Sequence, residues 1–254
     1  MKIRILLFVL IPFFLVLSNP ATAKIFSELK TLAEQGDSSA QYDLGSRYAR
    51  GDDVPQDYKQ AYYWFKKSGD QGNAWAQSIL GIMYYQGQGI TKDYKQAYSW
   101  FKKSAEQNNT LAQYHLGIMY DHGEGVPQNY KLALNQYKKA ADSGYSLAQL
   151  NLGVMYVHGN GVQQNYQKAY YWFHSAAIQG EAPAQYNLGI MNAIGQGVQR
   201  NEKEAYAWAS VAAANGHTIA FALRDDIARS LTKKSLEEAQ ALASEYFRKY
   251  SPSR

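Results

Sequence analysis

Cysteine is absent from all 254 residues. Its absence excludes a disulfide framework, thiol catalysis, cysteine-based metal sites and a lipid anchor on an N-terminal cysteine. A chain exported without disulfides has to hold together by core packing alone. Long apolar runs are also missing beyond residue 17, so no later segment can cross a membrane as a helix. Charge of one sign is scarce. Lys and Arg number 26 against 21 Asp and Glu, a formal +5, too mild an excess to point to a particular partner. There is no HExxH, no pair of histidines at i, i+4 and no Ser-His-Asp arrangement.

What is present begins with a leader. Lys2 and Arg4 precede the apolar run from Ile5 to Leu17, and "ATA" at 21–23 supplies the small-x-small pattern a signal peptidase reads. The run is interrupted by Pro12 and falls short of the roughly 20 residues a span needs. A cleaved signal peptide (1–23), cut after Ala23, is therefore expected over an uncleaved anchor. The expected location is periplasmic or secreted, out of reach of nucleic acid. Cleavage removes Lys2 and Arg4 and no acid, so the net charge falls by two, from +5 to +3.

The rest of the chain repeats itself. "AQYDLGSRYARGDDV" from Ala40 returns as "AQSILGIMYYQGQGI" from Ala76 and "AQYHLGIMYDHGEGV" from Ala112. It returns again as "AQLNLGVMYVHGNGV" from Ala148 and "AQYNLGIMNAIGQGV" from Ala184, every 36 residues without insertion. Glycines this dense can wrap a phosphate, but a phosphate loop needs a preceding strand and a Lys or acid at set offsets. No copy supplies them. A period of this length marks a solenoid of supersecondary units, whose glycines are joints.

Residues 73–108 show how one unit works. Ala76, Leu80, Met83 and Tyr84 recur at helical spacing and predict a first amphipathic helix. Gly87 falls where a left-handed residue closes a helix. Asp93 is placed to cap a second helix, as are Asp57, Asn129, Asn165 and Asn201. That second helix carries Ala97, Trp100, Phe101, Ser104 and Ala105 on one side, and stops at Asn108 where other units have glycine. Gly45, Gly81, Gly117, Gly153 and Gly189 fall inside the first helices. There glycine costs close to 1 kcal/mol against alanine, so a close approach is expected around each, with Ala97 and Trp100 interdigitating about Gly81. Trp64, Trp100, Trp172 and Trp208 are expected as structural pillars, and Gln136, in a tryptophan position, as the weakest link.

Ala112, Leu116, Gly117, Tyr120, Gly123, Gly125, Val126, Ala133, Lys139, Ala140, Ala141 and Gly144 together resemble the Sel1-like repeat family, relatives of tetratricopeptide repeats. The resemblance implies an all-α, α/α superhelical solenoid of about thirteen helices. A half repeat (24–36) is followed by repeats at 37–72, 73–108, 109–144, 145–180 and 181–216, then by capping helices within 217–254. Ser235 to Glu238 reads as a capping box for the last helix. Asp53, Gln136, Asn192 and Ala209 depart from the pattern, in place of glycine, tryptophan, tyrosine and phenylalanine.

No metal or cofactor is expected. His122 and His158 are equivalent, but packed helices lie about 8–10 Å apart, whereas zinc holds its nitrogens at about 2.0–2.1 Å. His115, His174 and His217 stand alone. Asp52-Asp53, Asp225-Asp226 and Glu237-Glu238 are sequence neighbours, which diverge on a helix. The lysine pairs at 66–67, 102–103 and 138–139 suit either an anionic polymer or the helix C-termini they sit near. Tyr42, Tyr85, Tyr114, Asp121, Leu150, Val157 and Tyr186 vary along the first helices and form the candidate partner-binding surface, since tyrosine is enriched in interface cores. Aromatics at this spacing also serve as core. The expected function is an exported, non-enzymatic scaffold for a protein or peptide partner in the cell envelope or at a host interface. The alternative is a cell-wall-related enzyme or a peptidoglycan or β-lactam binder, roles described for cysteine-rich members of the family.

Overall fold

In the computed structural model, residues 20–251 are described, and among them the chain forms thirteen α-helices and no strand. Lys2, Arg4 and the apolar run from Ile5 to Leu17 lie outside the described residues. Helix α1 (Pro20–Glu34) extends across the expected cut after Ala23. Five helix pairs follow: α2 (Ser38–Arg50) with α3 (Tyr58–Asp70), α4 (Ala74–Gln86) with α5 (Tyr94–Glu106), and α6 (Thr110–His122) with α7 (Tyr130–Asp142). Then come α8 (Ser146–His158) with α9 (Tyr166–Ala177), and α10 (Ala182–Ile194) with α11 (Glu202–Ala214). Helices α12 (Ala220–Ser230) and α13 (Lys233–Tyr250) close the array. From α1 to α12 each helix packs on its neighbours in sequence, and α13 packs back on α11, which makes an α/α solenoid.

The helix ends are where local chemistry places them. Asp93 accepts hydrogen bonds from the backbone N–H of Lys95 and Gln96, at 2.9 and 3.1 Å, satisfying two amides that have no partner within the helix. Gly87 closes α4 at φ 78°, its N–H donating to the Met83 carbonyl. Asn108 takes the left-handed conformation at φ 62°, in the place of its glycine counterparts. The final helix departs from expectation: its cap is Thr232, whose hydroxyl accepts from the Ser235 N–H at 3.2 Å. The start lies three residues earlier than the Ser235–Glu238 box because Lys233 and Lys234 are already helical.

The core is built on the glycine inside each first helix. A Cβ on Gly81 would sit 2.5 Å from the Phe101 ring, and one on Gly117 equally close to Tyr137. The ring over Gly81 is therefore Phe101, which corrects the expectation of Ala97 and Trp100. Trp100 turns the other way, toward the preceding repeat, and packs with Ala61, Phe65, Ala76 and Leu80. In the last repeat Ala209 removes the ring; the α11 backbone and Leu223 come up to Gly189 instead, both beyond 3 Å.

A ladder of buried glutamines joins the repeats. Gln77 donates to the Gly69 carbonyl of the preceding repeat at 3.0 Å and accepts from Gln107 at 2.8 Å. Gln41, Gln149 and Gln185 do the same with equivalent partners. Repeat 3 breaks the ladder: Ser143 stands where the others carry an amide, and Gln113 Oε1 is buried without a partner. Gln136 Oε1 is orphaned too, beside a pocket of about 160 Å³ lined by Tyr98, Leu116 and Tyr120. Two unpaired acceptors lie in repeat 3, and an open pocket lies at its boundary with repeat 2.

Trp172 departs from its expected role. Trp64, Trp100 and Trp208 are 6%, 6% and 1% exposed, whereas Trp172 is only half-buried. Lys67 lies over the Trp64 ring and Lys103 over Trp100, but Ser175 occupies that position beside Trp172. Trp208 is roofed instead by Tyr246 and Tyr250.

Trp100→Ala is expected to cost about 3–5 kcal/mol and Trp172→Ala less than half as much, read from chemical denaturation; equal costs would contradict this assignment. Gln136→Trp should fill the repeat 3 void and gain about 1 kcal/mol. Hydrogen exchange should find residues 109–144 the least protected interior repeat, and finding them the most protected would overturn the ranking.

Candidate interaction surfaces

First helix α4 meets first helix α6, and α10 meets the closing helix α12. All seven predicted surface residues lie on these helices and all are half-buried. They divide into two columns. Tyr42, Tyr114 and Tyr186 lean toward a neighbouring element, against Phe65 at 5.7 Å, Tyr145 at 4.9 Å and His217 at 4.6 Å. Burial of Tyr114 raises its pKa. Leu150 packs into the central core cluster, and Ser78, in the same column, is buried with its hydroxyl unpaired.

The second column holds Tyr85, Asp121 and Val157. The Tyr85 hydroxyl donates to Glu124, which also accepts from Tyr94 at 3.4 Å. Burial and this carboxylate together raise the Tyr85 pKa. Asp121 accepts from Tyr137 at 3.5 Å, and Val157 packs in the central cluster.

The side chains that project furthest from these helices lie one helical position away. Trp75 is 57% exposed and Ile194 is 62% exposed, with Gln86, His122 and His158 also open. Sequence reasoning passed over Trp75 and Ile194. The available signal was composition, since Trp75 stands where other repeats carry Ser39, Leu111, Leu147 and Pro183.

Four of the six paired lysines are engaged locally. Lys66 and Lys138 bond Asp70 and Asp142 one turn on, and Lys67 and Lys103 cover tryptophan rings. The acid pairs diverge as expected: Asp52 meets Arg50 and Asp53 meets Arg47, Asp225 meets Arg224 and Asp226 meets Arg229. Among the described residues no group of three or more His, Cys, Asp or Glu gathers to hold a metal, and no helix is long and apolar enough to cross a membrane.

His115 is the most perturbed histidine. Its ring stacks on Phe101 at 4.8 Å and 8°, and its Nδ1 is buried without a partner. Desolvation lowers its pKa to about 4.

The molecule is thus an α-solenoid whose helix pairs present a continuous face. The Sel1 repeat profile matches residues 38–73, 76–109, 110–145, 146–181 and 182–217, and the chain belongs to the Sel1 repeat family. A Sel1 repeat protein from Oxalobacter formigenes has the same fold, with a TM-score of 0.73 at 32% identity over 81% of this chain. The match covers 60% of that protein, so the chain spans about three-fifths of its length. A second protein described as a Sel1 repeat protein, from Klebsiella pneumoniae, matches at 25% identity with a TM-score of 0.51, over 80% of this chain and 99% of its own. No curated protein matches the chain. Repeats of this family generally serve as protein-interaction scaffolds.

His115 generates a pH prediction. Its pKa is lower in the folded protein than in the unfolded chain, so between about pH 6.5 and 4 the unfolded chain binds more protons. Stability is expected to fall as pH drops through that window, by about 3 kcal/mol at most. His115→Ile, which installs the residue of Ile79 in repeat 2, should flatten the dependence. An unchanged pH slope in that variant would sink the assignment.

Proposed function

We propose that the protein is an exported, non-enzymatic scaffold of the bacterial envelope or of a host interface, holding a protein or peptide partner along its first-helix face. The observation that carries this reading is the exposure of large apolar side chains on the first helices: Trp75 on α4 and Ile194 on α10 are exposed beyond half their surface. Large apolar side chains held in solvent cost free energy unless a partner covers them, and exposed aromatics are common anchors in interfaces. The basic, apolar and small-residue segments of the N-terminus support export. The acids support a non-enzymatic role, because Asp52, Asp53, Asp225 and Asp226 are each committed to a separate ion pair.

Photo-crosslinking residues placed at 75 and 194 should capture a partner protein in intact cells, while one at Tyr171, exposed on a second helix, should not. Trp75→Ser with Ile194→Ser should weaken binding of the captured partner tenfold or more, with thermal unfolding changed by about 0.5 kcal/mol or less. Equal capture at all three positions would sink the assignment of the face. Hydrolysis of a β-lactam by the purified protein, abolished by a single substitution, would overturn the non-enzymatic reading. By contrast, Tyr114→Ser with Tyr186→Ser should lower the melting temperature, because both rings are packed.

A further inference from the structure

The seam between the fourth and fifth repeats differs from the others. In the first two seams a tyrosine of one second helix meets a tyrosine of the next first helix, Tyr62 with Tyr84 and Tyr98 with Tyr120, hydroxyl to hydroxyl at 2.8 Å. In the third seam Leu134 and Tyr156 take these places. In the last, Tyr170 faces Asn192, whose amide donates to the Leu188 carbonyl at 2.8 Å and to the Tyr170 hydroxyl at 3.5 Å. An amide where a phenol ring stands elsewhere leaves space, and a pocket of about 370 Å³ opens there. Its walls are Tyr170, His174, Asn192, Glu204, Trp208 and Tyr246.

The same seam inverts its charge. Lys138 and Lys168 stand in the third seam at the positions that His174 and Glu204 hold in the fourth. His174 packs between Tyr170 and Trp208, at 6.4 and 5.9 Å. Desolvation lowers its pKa against the pull of Glu204. Glu204 is the one carboxylate among the lining residues. Its Oε2 accepts from the Tyr246 hydroxyl at 2.8 Å. Neighbouring Glu202 pairs with Arg200 and Lys203 pairs with Glu238, but Glu204 has no cationic partner among the described residues. A half-buried carboxylate without a counter-charge, walled by aromatic rings, matches a cation in two ways: Coulomb attraction at reduced dielectric, and attraction to ring faces. The other Glu204 oxygen and the Tyr170 hydroxyl are acceptors for a donor with several N–H groups.

We propose that this pocket binds a primary ammonium group on an alkyl stem, the side chain of a lysine in a partner protein. The carboxylate holds the charge, the tyrosine and histidine rings flank the stem, and Trp208 forms the floor. The site lies apart from the first-helix stripe, so it stands or falls independently of whether that stripe binds a partner.

The test uses Nα-acetyl-lysine N-methylamide titrated into the purified full-length protein, read by the Trp208 indole N–H resonance. A saturable shift in about the millimolar range is expected, the affinity of a single small-molecule contact site. The Nε-acetylated compound, which has the same stem without the charge, should leave the resonance unmoved. Glu204→Gln should weaken binding at least tenfold, and Asn192→Tyr, which restores the residue of the first three seams, should abolish it by filling the pocket. Both variants are checked for a wild-type melt, and the Nε-acetyl comparison needs no variant at all. Equal shifts with the two compounds, undiminished binding by folded Glu204→Gln, or no saturable shift would each overturn the proposal.

Discussion

The structure depends on one close approach: the face of an aromatic ring lying on a helix where the residue beneath has no Cβ. Phe65, Phe101, Tyr137 and Phe173 each press into the glycine of the first helix in their own repeat. A methyl group there would overlap the ring, and a packed interior has no slack to absorb it. This contact sets the distance between the two helices of a pair. Because it is met the same way in four repeats, the pairs are nearly identical building blocks, and identical blocks stack into a superhelix.

The junctions between blocks rest on two further constraints. In repeats 2 to 5 the second glycine of the loop lies against the start of the preceding second helix: a Cβ on Gly125 would come within 2.7 Å of the Tyr94 backbone. The glutamine ladder then satisfies buried carbonyls and amides across the same boundary. A buried acceptor without a donor costs about 1–3 kcal/mol, so the short side chain of Ser143 weakens repeat 3 in addition to the loss of tryptophan at Gln136. Solenoid stability is close to a sum of such local terms, and one defective junction lowers protection on both sides of it.

Where the repeat is obeyed, polar and aromatic groups are spent on one another. Tyrosine hydroxyls pair across seams, lysines cover tryptophans, and glutamines bridge carbonyls. Distinct chemistry appears where the repeat is broken. Trp75 protrudes at a position that is otherwise small or aliphatic. Asn192 and His174 break two columns, of tyrosine and of lysine, and meet Glu204 around one pocket. The two surfaces proposed for function, the first-helix stripe and the last seam, share α10 but use different residues of it, Ile194 and Asn192.

The 36-residue period, the caps at Asp93 and its counterparts, the left-handed closure at Gly87 and the two-helix unit are local properties. They depend on backbone conformation and on spacing within a dozen residues, and the sequence by itself determined them. Which ring covers Gly81 could not be read that way, because Trp100 and Phe101 are adjacent and their directions differ by about 100° around a helix; only the packed pair selects Phe101 for its own repeat and Trp100 for the neighbour. The half-exposure of Trp172 depends on Ser175 being too short to cover it. The burial of Tyr114 depends on Tyr137 and Tyr145, which belong to other helices. The half-burial of the seven residues named from the sequence, and the greater exposure of Trp75 and Ile194, have the same reason: periodicity gives the buried face of an isolated helix, whereas the open face of a solenoid is what remains after both neighbouring repeats have taken their share.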